Sequence, residues 1–160
     1  MITLAQNTLA EFTSSQLLVP CLKGDHRESV VAELSQRLAE AGRLDDSDMF
    51  TRAVLKHEEL APAVFDGVAF PMAHDGALRE MAFAVGLAPQ PIPWGGPHSP
   101  RVRAVVLLAV PVAEANRQIP LVLAFCKFLG DSFAFTSLRA CRKPEEMLAV
   151  LERIRFQPSA

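Results

Sequence analysis

The sequence predicts a single α/β or α+β domain in which helices cover a mixed β-sheet. Two observations lead to this class: apolar residues recur at helical spacing in several segments, and short runs rich in valine, alanine and leucine lie between them. A chain of 160 residues, 50% of them hydrophobic, is long enough to bury one core, so a single domain is expected over residues 1–160. The net charge is −2 and no lysine or arginine cluster stands out, so nucleic acid is not an expected partner.

The first half of the chain is predicted to contain one strand followed by two helices. Residues 15–22 are short and apolar, and Pro20 restricts them to the edge of a sheet. Helical spacing of apolar residues predicts a helix over residues 26–41, which Gly42 ends. A second helix follows and ends before Pro62. The candidate caps of this second helix are Asp45, Asp46 and Ser47, and the apolar residues that it carries are Met49, Phe50, Ala53 and Val54.

The second half is predicted to hold three strands and then three helices. Residues 67–71 and 81–88 are strand candidates, and residues 102–112 are hydrophobic enough for a strand that is buried on both faces. Residues 89–100 contain five prolines and are therefore predicted to lack regular structure. The predicted helices are Gln118–Leu129, residues 133–138 and a last helix that begins at Pro144 and buries Met147, Leu148, Leu151 and Ile154.

Composition and motifs exclude several classes of protein. The sequence has none of the common nucleotide-binding, hydrolase or metalloprotease motifs, and no cofactor is predicted. The three cysteines are widely spaced, as expected for free thiols in the reducing cytoplasm. Residues 1–12 lack the basic and apolar segments of a secretory signal, and no apolar run reaches the ~20 residues that span a membrane. We therefore expect a cytoplasmic protein without membrane insertion.

Four histidines are the candidates for chemistry, and the surroundings of one favour a role. His26, at the start of the first helix, and His98, in the proline-rich segment, are interpreted as surface residues. His57, at the end of the second helix, is either a surface residue or part of a site. His74 follows the strand that ends at Pro71, so it is expected in a loop at the edge of the sheet, where reactive side chains are common.

The residues that follow His74 leave two interpretations open. In one, its imidazole accepts a phosphoryl group or acts as a base. In the other, Asp75 and Gly76 form a tight turn and the histidine has no chemical role. A metal site made of His57, His74 and His98 is conceivable, but their spacing matches no known ligand framework.

Read in order, the segments resemble the enzyme IIA domain of the fructose–mannitol type (EIIA type-2) of the bacterial phosphoenolpyruvate:sugar phosphotransferase system (PTS). This family includes the nitrogen-regulatory IIA proteins. GVAFP at residues 67–71 is similar to the family's Gly-x-Ala-x-Pro strand, VRAVVLLAVP at 102–111 resembles its central strand, and residues 1–12 and 119–151 look like its opening and closing segments. The resemblance implies a mixed sheet flanked by helices. It also implies a histidine, directly after the Gly-x-Ala-x-Pro strand, that relays a phosphoryl group from the HPr carrier protein or a relative.

The chain departs from the family at the positions to which the resemblance assigns phosphoryl transfer. Met72 stands where the nucleophilic histidine is expected, and a thioether cannot carry a phosphoryl group. An arginine–glutamate pair, a serine–threonine pair and a supporting histidine of the family are also altered. The residues at these positions are His57-Glu58, Pro62-Ala63 and Gln118.

Three functions follow as hypotheses. The first, which we favour, is a regulatory or interaction domain that has lost the usual phosphohistidine and docks an HPr-like phosphocarrier or a regulatory protein through an apolar rim near Met72 and Trp94. The second is an active phosphocarrier with His74 as acceptor and Asp75 orienting the imidazole, since side chains two apart on an extended chain share a face. The third is a small-molecule or metal site in the same pocket. A homo-oligomer is compatible with all three. The predicted lining residues are Met72, His57, Glu58, Asp75, Ala63 and Gln118.

Overall fold

A computed structural model describes residues 7–156, apart from the side chains of Ser132 and Phe156. The strands are β1 (Asn7–Thr8), β2 (Leu18–Val19), β3 (Val64–Phe65), β4 (Val68–Ala69), β5 (Met72–Asp75), β6 (Ala82–Pro93), β7 (Arg101–Pro111) and β8 (Arg155–Phe156). The helices are α1 (Arg27–Glu40), α2 (Ser47–Leu60), α3 (Gln118–Leu129), α4 (Ser132–Arg139) and α5 (Pro144–Glu152). Half of the predicted opening segment, residues 1–6, lies outside the described residues.

The long strand β7 organises a six-stranded mixed sheet. β6 pairs with it antiparallel on one side, and β4 and β5 pair with it parallel on the other, one after the other. β2 lies beside β6 as an edge strand and β3 lies beside β4, whereas β1 and β8 form a separate pair. Residues 104–111 of β7 are all buried, so the predicted strand with two buried faces is confirmed.

Helices cover both faces of this sheet, which confirms the predicted fold class. α1 and α2 pack on one face, which we call the α1–α2 face, and α3, α4 and α5 pack on the other, the α3–α5 face. On the α3–α5 face the Phe125 ring meets Phe70 and Phe83 edge-on, at centroid distances of 5.9 and 5.4 Å.

The predicted helices are confirmed because their ends carry clear signals. The Asp46 side chain accepts a hydrogen bond of 3.0 Å from the Met49 amide and so caps α2. Gly42 adopts the left-handed φ of 75° that ends α1, and Pro144 occupies the first turn of α5. α3 begins and ends at the predicted residues, Gln118 and Leu129.

The apolar residues of α2 divide between its buried and exposed faces. Met49 is 61% exposed, and Ala53 is exposed as well. The buried residues are Phe50, Val54 and Glu58, which follow each other at intervals of four residues. Apolar residues alone do not reveal this stripe because it includes a glutamate.

Three strand predictions also need correction. Residues 15–22 contain only the short strand β2, because a 3-10 turn over Ser15–Leu17 precedes it. Residues 89–93 were predicted to be irregular but continue β6, with a register shift between Leu87 and Ile92 where proline need not donate to the ladder. Residues 72–75 were predicted to form a loop but form β5, because they pair with β7.

The structure also bears on membranes and thiols. Within residues 7–156 no single helix is long and apolar enough to cross a membrane. Only α3 and the segment Phe133–Arg139 taken together reach the length and hydrophobicity of a membrane span, and the two are bent by 101° relative to each other. All three cysteines lie in the described part of the chain, and each is a free thiol.

Candidate functional site

The segment after Gly67 runs along β7 as one extended chain that Pro71 interrupts. Val68 lies opposite Ala104 and Met72 lies opposite Leu108, so both pairs are offset by 36 positions and the register does not slip. The Leu108 amide donates to the Pro71 carbonyl at 2.9 Å, which holds the chain in place where proline has no N–H of its own. The family-like strand therefore leads directly into β5.

Side chains along β5 alternate between the two faces of the sheet. Ala73 is 5% exposed and belongs to the core of the α1–α2 face, whereas Met72 packs against the core of the α3–α5 face. Because the backbone stays extended, His74 shares the face of Met72. The prediction that these two side chains point the same way depended on an extended backbone, and β5 has one.

His74 is held by a hydrogen bond to the backbone. Its Nε2 lies 3.0 Å from the carbonyl oxygen of Ala115, in the segment between β7 and α3. A carbonyl oxygen only accepts, so Nε2 carries the proton and donates. In a neutral imidazole this leaves the lone pair on Nδ1, which is the nitrogen able to act as a base or a nucleophile.

Asp75 stabilises the turn that ends β5. Its Oδ1 accepts a hydrogen bond of 2.8 Å from the Ala77 amide, and its carbonyl accepts one of 3.3 Å from the Leu78 amide. This is the turn that the sequence offered as an alternative to a reactive site. The carboxylate therefore binds the backbone of its own turn, while the imidazole of His74 binds Ala115.

The start of α3 adds polar groups close to Ala115. Gln118 follows three residues later, and its Oε1 is buried without a hydrogen-bond partner in the described part of the chain. Arg117 donates to Glu114 Oε1 at 2.7 Å, so this guanidinium is already paired with a carboxylate. The imidazole of His74, the amide of Gln118 and the Arg117–Glu114 ion pair thus lie at the carboxyl ends of the parallel strands β5 and β7.

The end of α2 approaches the junction of β4 and β5 through its backbone. The Ala63 carbonyl accepts a hydrogen bond of 2.8 Å from the Phe70 amide, which places Ala63 near Met72. His57 is exposed on the last turns of α2, and its carbonyl accepts from the Ala61 amide at 2.9 Å. The serine–threonine hydroxyls expected from the family have no counterpart in this loop, where Pro62 precedes Ala63.

Glu58 points away from this group and into the core of the α1–α2 face. It is 1% exposed, and its Oε2 accepts a hydrogen bond of 2.9 Å from the indole nitrogen of Trp94. Burial raises the pKa of this carboxyl above its ordinary value, while the hydrogen bond from Trp94 and the nearby charges of His57 and Arg27 oppose the rise. The amide of Ala63 also favours the charged form, although Oε1 makes no hydrogen bond of standard geometry in the described part of the chain.

Trp94 is therefore part of the core. It is 2% exposed, so the expectation that it forms an apolar rim near Met72 is wrong. Together with Glu58, Arg27 and Val64 it lines a groove of about 480 Å³. The Arg27 guanidinium is mostly buried there, and its Nε has no hydrogen-bond partner in residues 7–156.

The structure thus brings some of the predicted site residues together and separates others. Met72, His74, Asp75 and Gln118 gather at one end of the sheet, and Ala63 lies near Met72, whereas Glu58 belongs to the opposite face. In the described residues, no group of three His, Cys, Asp or Glu side chains is arranged to hold a metal ion, which gives the metal hypothesis no support. Sequence reasoning missed the Ala115 carbonyl, because a backbone acceptor leaves no signal in residue type.

The chain is similar in sequence to one protein family and to parts of two longer proteins. A family model described as "Phosphoenolpyruvate-dependent sugar phosphotransferase system, EIIA 2" matches residues 11–154. The 2-O-alpha-mannosyl-D-glycerate-specific EIIABC component of the Escherichia coli K12 PTS is 35% identical over 138 residues, which is 84% of this chain and 21% of that protein. The transcriptional regulator ManR of Bacillus subtilis is 28% identical over 88 residues, 55% of this chain and 13% of the regulator. The chain therefore spans about a fifth or less of the length of these two relatives.

Solved structures show the same fold. The nitrogen regulatory protein IIA-Ntr of Neisseria meningitidis superposes with a TM-score of 0.79 at 17% identity, covering 89% of this chain and 98% of that one. IIA mannitol in its complex with phosphorylated IIB mannitol, from Escherichia coli, gives 0.70 at 17% identity, covering 86% and 95%. At these identities the likeness concerns the fold alone.

Proposed function

The chain belongs to the EIIA type 2 family of the phosphoenolpyruvate-dependent sugar phosphotransferase system, as the resemblance in its sequence predicted. From this membership we propose that it is an interaction domain that carries no phosphoryl group at position 72. Its partner is an HPr-like phosphocarrier or a regulatory protein, met in the cytoplasm. The transport and sugar specificity in the names of longer relatives are not part of this proposal.

One observation carries the proposal: Met72 occupies the first position of β5, directly after the Gly-x-Ala-x-Pro strand. A phosphoryl relay through imidazole depends on a nitrogen lone pair that forms a labile N–P bond. The sulfur of methionine is a weak acceptor that forms no such bond. The family's nucleophile is therefore replaced by a group that lacks the required chemistry.

The charges around His74 also disfavour a phosphoryl group. Asp75 is adjacent in sequence, and Ala115, whose carbonyl accepts from His74, lies between Glu114 and Arg117, which pair with each other at 2.7 Å. A phosphoryl group carries nearly two negative charges and needs unpaired donors around it. Without rearrangement of this ion pair, the positive charge of Arg117 is already offset by Glu114 and does not neutralise a phosphoryl group.

An exposed apolar patch next to the site supplies a surface for a protein partner. Val112, at the end of β7, is 57% exposed, and Ile119 and Leu123, one turn apart on α3, are 50% and 62% exposed. Such side chains cost free energy in water and favour association. We call this group the α3 patch. It replaces Trp94 as the apolar surface that we assign to docking.

Two of the similar proteins support a role in association. The match to ManR lies in a protein named as a transcriptional regulator, and the IIA mannitol structure is a complex with a IIB protein. Both are consistent with a fold that serves as a protein-binding module. From the position of Met72 and of the α3 patch, we place the binding surface of this chain at the end of the sheet at which β5 and β7 terminate.

The second candidate is a phosphocarrier that uses His74, and one observation favours it. Because Nε2 donates to Ala115, Nδ1 of the neutral ring keeps a lone pair at an exposed position. In this scheme Nδ1 attacks the phosphorus of a phosphohistidine donor, the donor's N–P bond breaks, and its imidazole leaves with the electron pair. When the other ring nitrogen of the donor is protonated, the donor leaves as neutral imidazole and His74 becomes an N-phosphorylated imidazolium whose Nε2 proton stays hydrogen-bonded to the Ala115 carbonyl, so no proton moves in the transfer.

Phosphorylation separates the two candidates. The wild type, His74→Ala and the exposed control His98→Ala are incubated with phosphoenolpyruvate, enzyme I and HPr, and acid-labile mass gain is measured on each. We expect no phosphoryl adduct on any of them. An adduct on the wild type and on His98→Ala, absent from His74→Ala, would overturn the first candidate and establish the second.

Binding tests the interaction role directly. Isotope-labelled HPr is titrated with the unlabelled protein, and its NMR signals are followed for the wild type and for Leu123→Glu. Phe65→Glu serves as the control, because Phe65 is 46% exposed on the β3–β4 hairpin, away from the α3 patch. We expect binding by the wild type and the control and loss of binding by Leu123→Glu. Equal binding by all three would remove the α3 patch from the proposal.

A further inference from the structure

Three arginines that are distant in sequence surround one depression at the other end of the sheet. Arg103 comes from β7, Arg139 from the last turn of α4, and Arg142 from the segment before α5. The depression has a volume of about 350 Å³, and Cys21 and Cys141 also line it. The sequence prediction that no arginine cluster stands out missed this group, because folding creates it.

These guanidinium groups have no carboxylate partner in residues 7–156. Arg139 lies 5.9 Å from the ring centroid of Phe135, a contact that leaves its N–H groups available. Glu146 lies close by, but its Oε1 accepts a hydrogen bond of 3.1 Å from the backbone amide of Arg142 and not from a guanidinium group. No Asp or Glu lines the depression itself among the described residues.

Three arginines elsewhere in the fold, Arg27, Arg43 and Arg117, each lie within 4 Å of a carboxylate. Arg103, Arg139 and Arg142 have no such partner in the described residues but line one concave surface together, so their positive charges repel each other. A bound anion offsets this repulsion.

The depression is separate from the site at His74. Val110 of β7 lies opposite His74, and Arg103 is seven residues earlier on the same strand. At about 3.3 Å per residue the two positions are roughly 23 Å apart. Occupation of the depression therefore leaves the end of the sheet near His74 unobstructed.

We propose that the depression formed by Arg103, Arg139 and Arg142 binds a small dianion of the phosphate class, either inorganic phosphate or a phosphate monoester. Planar guanidinium groups donate two N–H bonds to one phosphoryl group, and several arginines together recognise its oxygens better than a single point charge does. A volume of about 350 Å³ is in the range of small-ligand sites. The ligand's uncharged part would contact Pro20 and Leu87, which line the same depression.

Direct titration tests this site. In phosphate-free buffer of low ionic strength, inorganic phosphate and glucose 6-phosphate are titrated separately into the wild type, Arg139→Gln, Arg142→Gln and the double variant. We expect about a tenfold loss of affinity for each arginine removed, since hydrogen bonds to charged groups contribute at this level. Stronger binding of glucose 6-phosphate identifies a monoester site, whereas equal binding identifies a site for the phosphoryl group alone.

Arg52→Gln is the matched control. Arg52 is exposed on α2, on the opposite face of the sheet, so its removal changes net charge equally without touching the depression. We expect its affinity to stay within about twofold of the wild type. No saturable binding by the wild type, or an equal loss in Arg52→Gln, would overturn the proposal.

Cys21 offers a second test that needs no knowledge of the ligand. It is exposed and lines the depression, whereas Cys141 is buried, donates to the Ser137 carbonyl at 3.4 Å, and has its thiol pKa raised by burial. The three arginines should attract negatively charged iodoacetate relative to neutral iodoacetamide. The rate of alkylation of Cys21 is measured for each reagent by peptide mass. We expect the iodoacetate rate divided by the iodoacetamide rate to fall several-fold in the variant with both Arg139→Gln and Arg142→Gln, and to stay unchanged in Arg52→Gln. An identical ratio in all three proteins would contradict the clustered charge.

Discussion

The indole nitrogen of Trp94 donates a hydrogen bond of 2.9 Å to Oε2 of Glu58, and both side chains are buried in the core of the α1–α2 face. This contact joins the end of α2 to the loop after β6, two segments that are 36 residues apart. A buried carboxyl with one donor is stable only while that donor remains, since its desolvation is otherwise uncompensated. The pair therefore links the stability of the domain to protonation.

The first prediction concerns pH. Burial raises the pKa of Glu58 above its ordinary value of 4.5, so between 4.5 and the raised value the folded state keeps a proton that the unfolded state has lost. The folded state then binds more protons, and the contribution of Glu58 to the free energy of unfolding falls as pH rises through this window. We expect Glu58→Gln to gain stability relative to the wild type as pH increases from 4 to 7, measured by urea unfolding.

Glu59→Gln is the control for this experiment, because Glu59 is an exposed neighbour whose removal changes the net charge equally. The pH-dependent gain should be seen in Glu58→Gln beyond any change in Glu59→Gln. Parallel stability curves for the wild type and both variants would show that the burial of Glu58 has no effect on folding.

The second prediction concerns the donor. Trp94→Phe keeps an aromatic ring in the core but removes the N–H that Glu58 needs, so we expect a loss of about 1–3 kcal/mol in the free energy of unfolding. Circular dichroism must follow the transition, because Trp94 is the chain's single tryptophan. In a Glu58→Met background the same substitution should cost less, since no buried carboxyl is left without a partner. An equal cost in both backgrounds would assign the effect to packing.

The helices could be predicted from the sequence because their determinants are local. Asp46, Gly42 and Pro144 mark helix ends by short-range rules that need no tertiary partner. The β3–β4 hairpin was missed although its signal is present: Asp66 and Gly67 both adopt positive φ, 49° and 81°, as a two-residue hairpin turn requires. The determinants of this hairpin are therefore as local as those of the helix ends.

The site itself was less predictable because it depends on pairing over long distances. Residues 72–75 form a strand because they pair with residues of β7 that lie 36 positions later in the chain. No local sequence pattern specifies this register. The acceptor for His74 is a backbone carbonyl, and the arginines of the depression come from elements as distant as β7 and α4. Residue types predicted a site directly after the Gly-x-Ala-x-Pro strand, which stays a prediction, whereas the partners of each side chain are visible only in the fold.

The third prediction is that one substitution at position 72 makes the protein accept a phosphoryl group. Met72→His places an imidazole where the family has its nucleophile, so we expect incubation with phosphoenolpyruvate, enzyme I and HPr to give an acid-labile phosphoryl adduct on this variant. The transfer should be slow, because His57, Ala63 and Gln118 remain at the positions where the resemblance predicts an arginine, a hydroxyl and a second histidine. Met72→Gln is the control of similar size. The experiment is done in a His74→Ala background, so that any adduct reports position 72.

The prediction for Met72→His fails if the variant is folded and binds HPr yet stays unmodified. That result would mean that the replaced supporting residues, and not the nucleophile alone, decide whether transfer occurs. It would also strengthen the interpretation of the chain as a binding module, because restoring one group would not restore the relay.

The fourth prediction concerns the close contact between β6 and the segment after β2. A Cβ added at Gly86 would lie 2.7 Å from Cγ of Leu22, and Leu22 is only 3% exposed and fixed by its amide's 2.9 Å hydrogen bond to the Leu87 carbonyl. Because neither side can move freely, we expect Gly86→Ala to lower the free energy of unfolding by about 1–3 kcal/mol. Gly96→Ala is the control: nothing lies within 4 Å of the added atom, so its effect should stay within about 0.5 kcal/mol. Both variants keep Trp94, so its fluorescence can be used to follow urea unfolding. Equal unfolding midpoints for the two variants would show that β2 and the segment after it move to accommodate the extra methyl group.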